Sequence, residues 1–148
     1  MEKNKIIPAK IHPFKIEIID SYINDAITDN DADFDFNVAH KVQHNLEDER
    51  IKIQLLINLL LKTDATIGVK FNIDFHYKIT DLKDHYENDA NNRPIFSGLF
   101  IATILGISFS TARGILFGKL SETKLNNLIL PVIDPVKMLA TNNQKPTP

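Results

Sequence analysis

The sequence predicts an α+β fold, a four-stranded antiparallel sheet with a crossover after the first strand and helices on one face. Three features support this. Residues 51–79 alternate apolar and polar side chains in steps of two, the period of a strand with one buried face. After Pro94 the apolar residues recur at helical spacing instead. The link between the first two strands is long and rich in Asp and Asn, whereas the later links are short.

Taken in order, Phe14 to Ile19 alternates briefly, and Tyr22 and Ile23 extend the run. Phe34, Phe36, Val38, His40, Val42, His44 and Leu46 then share one face of a second strand. Glu47-Asp48-Glu49-Arg50 turns the chain into a third, where Ile51, Ile53, Leu55, Ile57, Leu59 and Leu61 oppose Lys52, Gln54, Asn58 and Lys62. Thr63 to Thr66 makes a short hairpin connection. In the fourth strand Ile67, Val69, Phe71, Ile73, Phe75, Tyr77 and Ile79 alternate with Gly68, Lys70, Asn72, Asp74, His76 and Lys78. The last three strands thus form a meander. Leu55, Ile57, Phe71, Ile73 and Phe75 should face a helical layer, with Lys70, Asn72 and Asp74 in solvent.

Asp81 to Arg93 has no apolar period and reads as a polar loop. Pro94 suits a first helical turn, followed by Phe96, Leu99, Phe100, Ile104 and Ile107. The apolar stretch predicts one buried helix, or two joined at Gly106 with Ser108 or Ser110 capping the second. Leu128 to Pro135 is extended, and Val136 to Ala140 suits one helical turn. Residues 1–140 are expected to form one domain, with 141–148 a disordered polar tail.

Composition narrows the function. The chain has 148 residues, 43% hydrophobic and 24% charged, which suits a globular domain. Its net charge of -2 favours neither nucleic acid nor an anionic membrane surface, so no nucleic-acid partner is expected. With no cysteine, thiol catalysis and Cys-ligated zinc are excluded. The N-terminal basic residues lack an apolar run behind them, so no signal peptide is expected, and the expected location is cytoplasmic. Pro94 to Ala112 carries no charge, but Ser97, Gly98, Thr103, Gly106, Ser108, Ser110 and Thr111 interrupt it. A core helix is expected there, without stable membrane insertion.

Gly98, Ala102, Gly106, Ser110, Gly114 and Gly118 place a small residue at every fourth position. A glycine inside a helix costs about 1 kcal/mol relative to alanine, so the row needs an offsetting close contact. That contact is either with the chain's own sheet or with a crossed helix of another subunit, near Gly106 and Ser110.

No catalytic, cofactor or metal set stands out. Asp29, Asp31, Asp33 and Asp35 approximate a calcium loop, but Phe34 and His40 occupy positions needing Gly and Glu. On a strand, His40 and His44 stand about 13 Å apart, too far to share a metal. His12, His76 and His85 have no acidic or hydroxyl partner at an informative spacing. Arg113, the one charge within the helical core, suits an interface or a cap.

Four antiparallel strands, an apolar helix, F-S-T-A-R-G-I-L and then L-I-L-P-V-I-D-P-V-K-M-L together resemble the SecB export chaperones. Phe109, Ala112 and Arg113 match that family's Phe-x-x-Ala-Arg segment, and Leu130-Pro131-Val132-Ile133 its Leu-Pro segment. The local wording is closer to divergent SecB-like proteins of unassigned role. The resemblance implies an ATP-independent holdase, not an enzyme, that grips unfolded or extended polypeptide clients. It also implies a homo-oligomer, a dimer or a dimer of dimers (tetramer), and a link to protein export. Candidate client contacts are Tyr22, Phe34, Phe36, Phe96 and Phe100, each of which also suits a core. Candidate interface residues are the six of the small row. Two departures weigh against docking of the translocase motor: the family is strongly acidic, and its C-terminal helix is longer. A dedicated chaperone for one partner, such as a toxin–antitoxin pair, is the alternative, with a small-molecule enzyme behind it.

Overall fold

The computed structural model describes residues 5–28 and 32–143. A main sheet is built from β1 (Ile11–Ile23), β2 (Phe34–Asn45), β3 (Arg50–Leu61) and β4 (Ile67–Ile79). All neighbours are antiparallel and the spatial order is β1-β4-β3-β2. The long link after β1 therefore carries the chain from one edge of the sheet to the other, as expected of a crossover. Two short strands, β5 (Tyr86–Asn88) and β6 (Pro94–Phe96), pair as a separate hairpin before α1 (Gly98–Leu120) and α2 (Pro135–Asn143).

The strict alternation in β3 and β4 sets the core. Ile51, Ile53, Leu55, Ile57, Leu59, Val69, Phe71, Ile73, Phe75, Tyr77 and Ile79 are buried against α1. In-register pairs such as Ile57–Phe71 and Leu55–Ile73 keep both strands on one face. On the other face Lys70 and Asn72 are half-buried, but Asp74 is 6% exposed. The expectation of a solvated Asp74 fails because β4 is a central strand, where Lys52 and Glu17 from both neighbouring strands lie close to its carboxylate.

One helix, not two, covers the sheet. Phe100, Ile104, Leu105, Ser108, Phe109, Ala112, Leu116 and Leu120 continue one buried stripe straight past Gly106. Ser97 is the N-cap, its Oγ accepting from Phe100 N–H at 3.4 Å. Ser108 is mid-helix rather than a cap: its hydroxyl donates to the Ile104 carbonyl at 2.9 Å. That leaves the Tyr77 hydroxyl to donate to Ser108 Oγ at 2.7 Å, a buried bond tying sheet to helix. By length and composition α1 could cross a membrane, a test that core helices also pass; 50% of its most apolar window is buried in the fold.

Three local expectations are corrected. Pro94 begins β6, not a helix, because its hairpin with β5 leads directly into the Ser97 cap. The stretch expected as a polar loop contains the 3-10 turn Leu82–His85 and β5, with Leu82 and His85 buried. The last helix is longer than one turn: Asp134 Oδ1 accepts from Val136 N–H at 3.0 Å, and α2 runs to Asn143. It thus continues into the expected tail, whose residues 144–148 lie outside the described ones.

Candidate functional site

The sheet is wider than its cover. Among the described residues β1 is an edge strand whose ladder runs only with β4, and α1 lies over β3 and β4. Phe14, Ile16, Ile18, Ile19 and Tyr22 are consequently all exposed, Ile16 by 46% and Tyr22 by 47%. Register shifts after Pro13 and Ile18 divide them between faces. Ile16 and Ile18 pair with Phe75 and Ile73 and so extend the core face beyond the helix. Tyr22 pairs with Lys70 on the opposite face. Phe14 also lies there, 5.9 Å from the His76 ring with the Arg50 guanidinium 5.2 Å from its own.

At the far end of β1, Asn24 N–H donates to the Gly68 carbonyl at 2.8 Å, and the Phe34 ring occupies the space a Cβ on Gly68 would fill. This close approach explains the glycine in an otherwise alternating strand. It also brings Phe34 near the end of β1. Beside it Ile23, Asn24, Asp25, Ile27, Glu122, Thr123, Lys124 and Leu125 line a cleft of about 440 Å³. The crossover and the turn after α1 form its walls.

The remaining expected contacts separate by burial. Phe36 is half-buried, edge-on to Phe109 at 5.9 Å. Phe96 is half-buried between His44, Tyr86 and Phe100, at 5.4, 5.4 and 6.2 Å. Phe100 is fully buried and stacks on His85 at 4.2 Å, the surroundings of a core residue. Burial pushes the His85 imidazole below its ordinary pKa.

The small-residue row spirals around α1 and meets several environments. Ala102 is buried. A Cβ on Gly106 would stand 3.0 Å from Pro135 Cγ, so the helix crossing the row there is α2 of the same chain. Gly98, Gly114 and Gly118 have open space beside them, and Ser110 is exposed. Leu99, Ile107 and Phe117 are exposed on the same helix. Arg113 donates from Nε to the Leu130 carbonyl at 3.1 Å, pinning the extended segment before α2 to α1.

Polar groups meet in ways their spacing concealed. His12 lies 3.3 Å from Thr80 Oγ1, and His76 Nε2 is 3.0 Å from Glu17 Oε1. These histidines do have hydroxyl and acidic partners, 68 and 59 residues away, supplied by the β1–β4 pairing. The bond to His76 holds the Glu17 carboxyl below the ordinary range. Lys10 donates to Asp81 at 2.7 Å, which lowers the Asp81 carboxyl and raises the Lys10 amine. Of the acidic run considered for calcium, Asp29 and Asp31 lie outside the described residues.

Among solved structures, this arrangement matches a Mycobacterium tuberculosis protein, the Rv1957 SecB-like chaperone in complex with a ChAD peptide from the Rv1956 HigA1 antitoxin. The TM-score is 0.56 over 84% of this chain and 88% of that one, at 11% identity. The fold is SecB-like. No family model and no curated protein matches the sequence, so the SecB-like likeness is one of architecture.

Proposed function

We propose that this chain is an ATP-independent holdase that binds unfolded or extended polypeptides. One observation carries the proposal: the uncovered edge strand β1, with Phe14, Ile16, Ile18, Ile19 and Tyr22 exposed along it. An edge strand offers main-chain donors and acceptors to any extended segment, and alternate apolar side chains add affinity without demanding a sequence. Tyr22 lies on this strand and Phe34 near its far end. Phe36 and Phe96 offer further half-buried aromatic contacts at the opposite, β2 edge of the sheet, whereas Phe100 serves the core beneath. In this role the chain works as a soluble, cytoplasmic protein and needs no nucleotide, cofactor or catalytic residue.

Self-assembly, as a dimer or a dimer of dimers, belongs to the same proposal. The exposed stretch of α1, with Leu99, Ile107 and Phe117 beside Ser110, Gly114 and Gly118, is the surface that supports it. Apolar side chains flanking glycines permit a close helix crossing.

A molar excess of the protein should delay aggregation of an unfolded model client without nucleotide, and Ile16→Ser with Ile18→Ser should weaken the effect. Equal aggregation rates with and without the protein would sink the general holdase. A dedicated single-partner chaperone would then lead, the reading favoured by the antitoxin peptide bound to the similar structure.

A further inference from the structure

Pairing of β1 with β4 assembles three groups on the outer face of the sheet. Glu17 stands opposite Asp74 in register, and His76 lies two residues along β4 on the same face. One ligand atom from each lies within 4.8 Å of the others. The burial of Asp74 provides a second, independent observation. Its Oδ1 is shielded from solvent and has no hydrogen-bond partner. A buried carboxylate oxygen left without a donor is costly, and native folds seldom tolerate it. Lys52 Nζ is 3.9 Å from Asp74 Oδ2, close enough to offset charge but too far to donate a hydrogen bond.

We propose that Glu17, Asp74 and His76 form a binding site for a divalent first-row cation, with zinc the best fit. One imidazole and two carboxylates are a borderline donor set, and three protein ligands leave the remaining position to water. Asp74 and His76 are held by the central strand, while Glu17 sits on the edge strand with its side chain 39% exposed. Bonds of about 2.0–2.2 Å require ligand atoms roughly 3.3–3.6 Å apart, so loading replaces the 3.0 Å hydrogen bond between His76 and Glu17, which part slightly as the three groups close around the ion. Lys52 and Lys15, the latter 3.4 Å from Glu17, compete with the cation and swing outward on flexible stems. This site is independent of the holdase proposal.

The test is titration of the tag-free full chain with Zn²⁺ by calorimetry, with Co²⁺ absorption reporting coordination geometry. One equivalent should bind, and Asp74→Asn, His76→Gln and Glu17→Gln should each weaken binding roughly 10–100-fold or more. His44→Gln should change nothing. Lys52→Met should tighten binding several-fold, because it removes a competing charge; a purely structural ion-pair network predicts no such gain. Glu17→Gln, on the exposed edge, keeps the test decisive if a β4 variant misfolds. No saturable binding, or binding indifferent to these three ligand substitutions, would overturn the proposal.

Discussion

Strands β1 and β4 are hydrogen-bonded along their lengths, yet their apolar side chains meet opposite surroundings. Phe71, Ile73 and Phe75 lie under α1 and are buried, while Ile16 and Ile18, their neighbours across the ladder, remain exposed. Local alternation is comparable between the register shifts, from Ile16 to Ile18 and from Ile73 to Phe75. The difference lies in position: β4 is central and covered, whereas β1 is at the edge, where only Ile11 and Ile23 at its ends pack against the core and the stretch between them is exposed. Alternation marks which face a side chain joins, and the width of the covering layer decides whether that face is dry. The same contrast recurs on α1, whose buried stripe closes the core while Leu99, Ile107 and Phe117 stay exposed.

The largest expected effect tests the covered side. Phe71→Ala should destabilise the domain by about 3–5 kcal/mol, the usual result of emptying an aromatic core site. Ile18→Ala on the edge should cost about 1 kcal/mol or less. Urea denaturation of both variants checks this, and equal losses would mean that β1 is covered in solution.

A second experiment separates the surroundings along α1. Gly114→Leu faces open space within the chain and improves helix propensity, so the monomer should keep its stability within about 1 kcal/mol. If α1 joins subunits there, light scattering should show a smaller assembly for the variant. Unchanged mass, or a monomeric parent, would remove this face from the proposal.

The smallest effect concerns pH. Burial holds the folded-state pKa of His85 below its unfolded value, so the unfolded chain binds more protons between the two. Its contribution is fully present above the ordinary value of about 6.5 and is lost as pH falls below it. Replacing His85 with Leu should flatten the stability profile in that window. Thermal melts from pH 7.5 to 5 that keep the same slope in the variant would contradict this.

Much of the architecture was legible in the chain. The alternation from Ile51 to Ile79, with its short connection, marked the central strands and their inner face. The Asp- and Asn-rich link marked the crossover. The sequence alone leaves one helix or two, because Gly106 and Ser108 look like a break in isolation. The buried stripe keeps its phase through them, and α2 packs onto the glycine. Of the expected contacts, Tyr22 is exposed and Phe100 is buried, a distinction that spacing could not make. Gly68 was the overlooked signal, since a glycine within a strong strand marks a close approach, here by Phe34.

What the sequence determined by itself is local: the period of each regular segment, the inner faces of β3 and β4, the lack of cysteine and the near-neutral charge. These follow from bond geometry and composition, which every stretch of chain carries with it. What only the tertiary structure decided is non-local: which strand lies at the edge, how far the helix reaches, and that Glu17 meets Asp74 and His76. Residues 57 or more positions apart become neighbours only when strands pair. Burial, in turn, belongs to a whole layer of side chains, so no single segment encodes it.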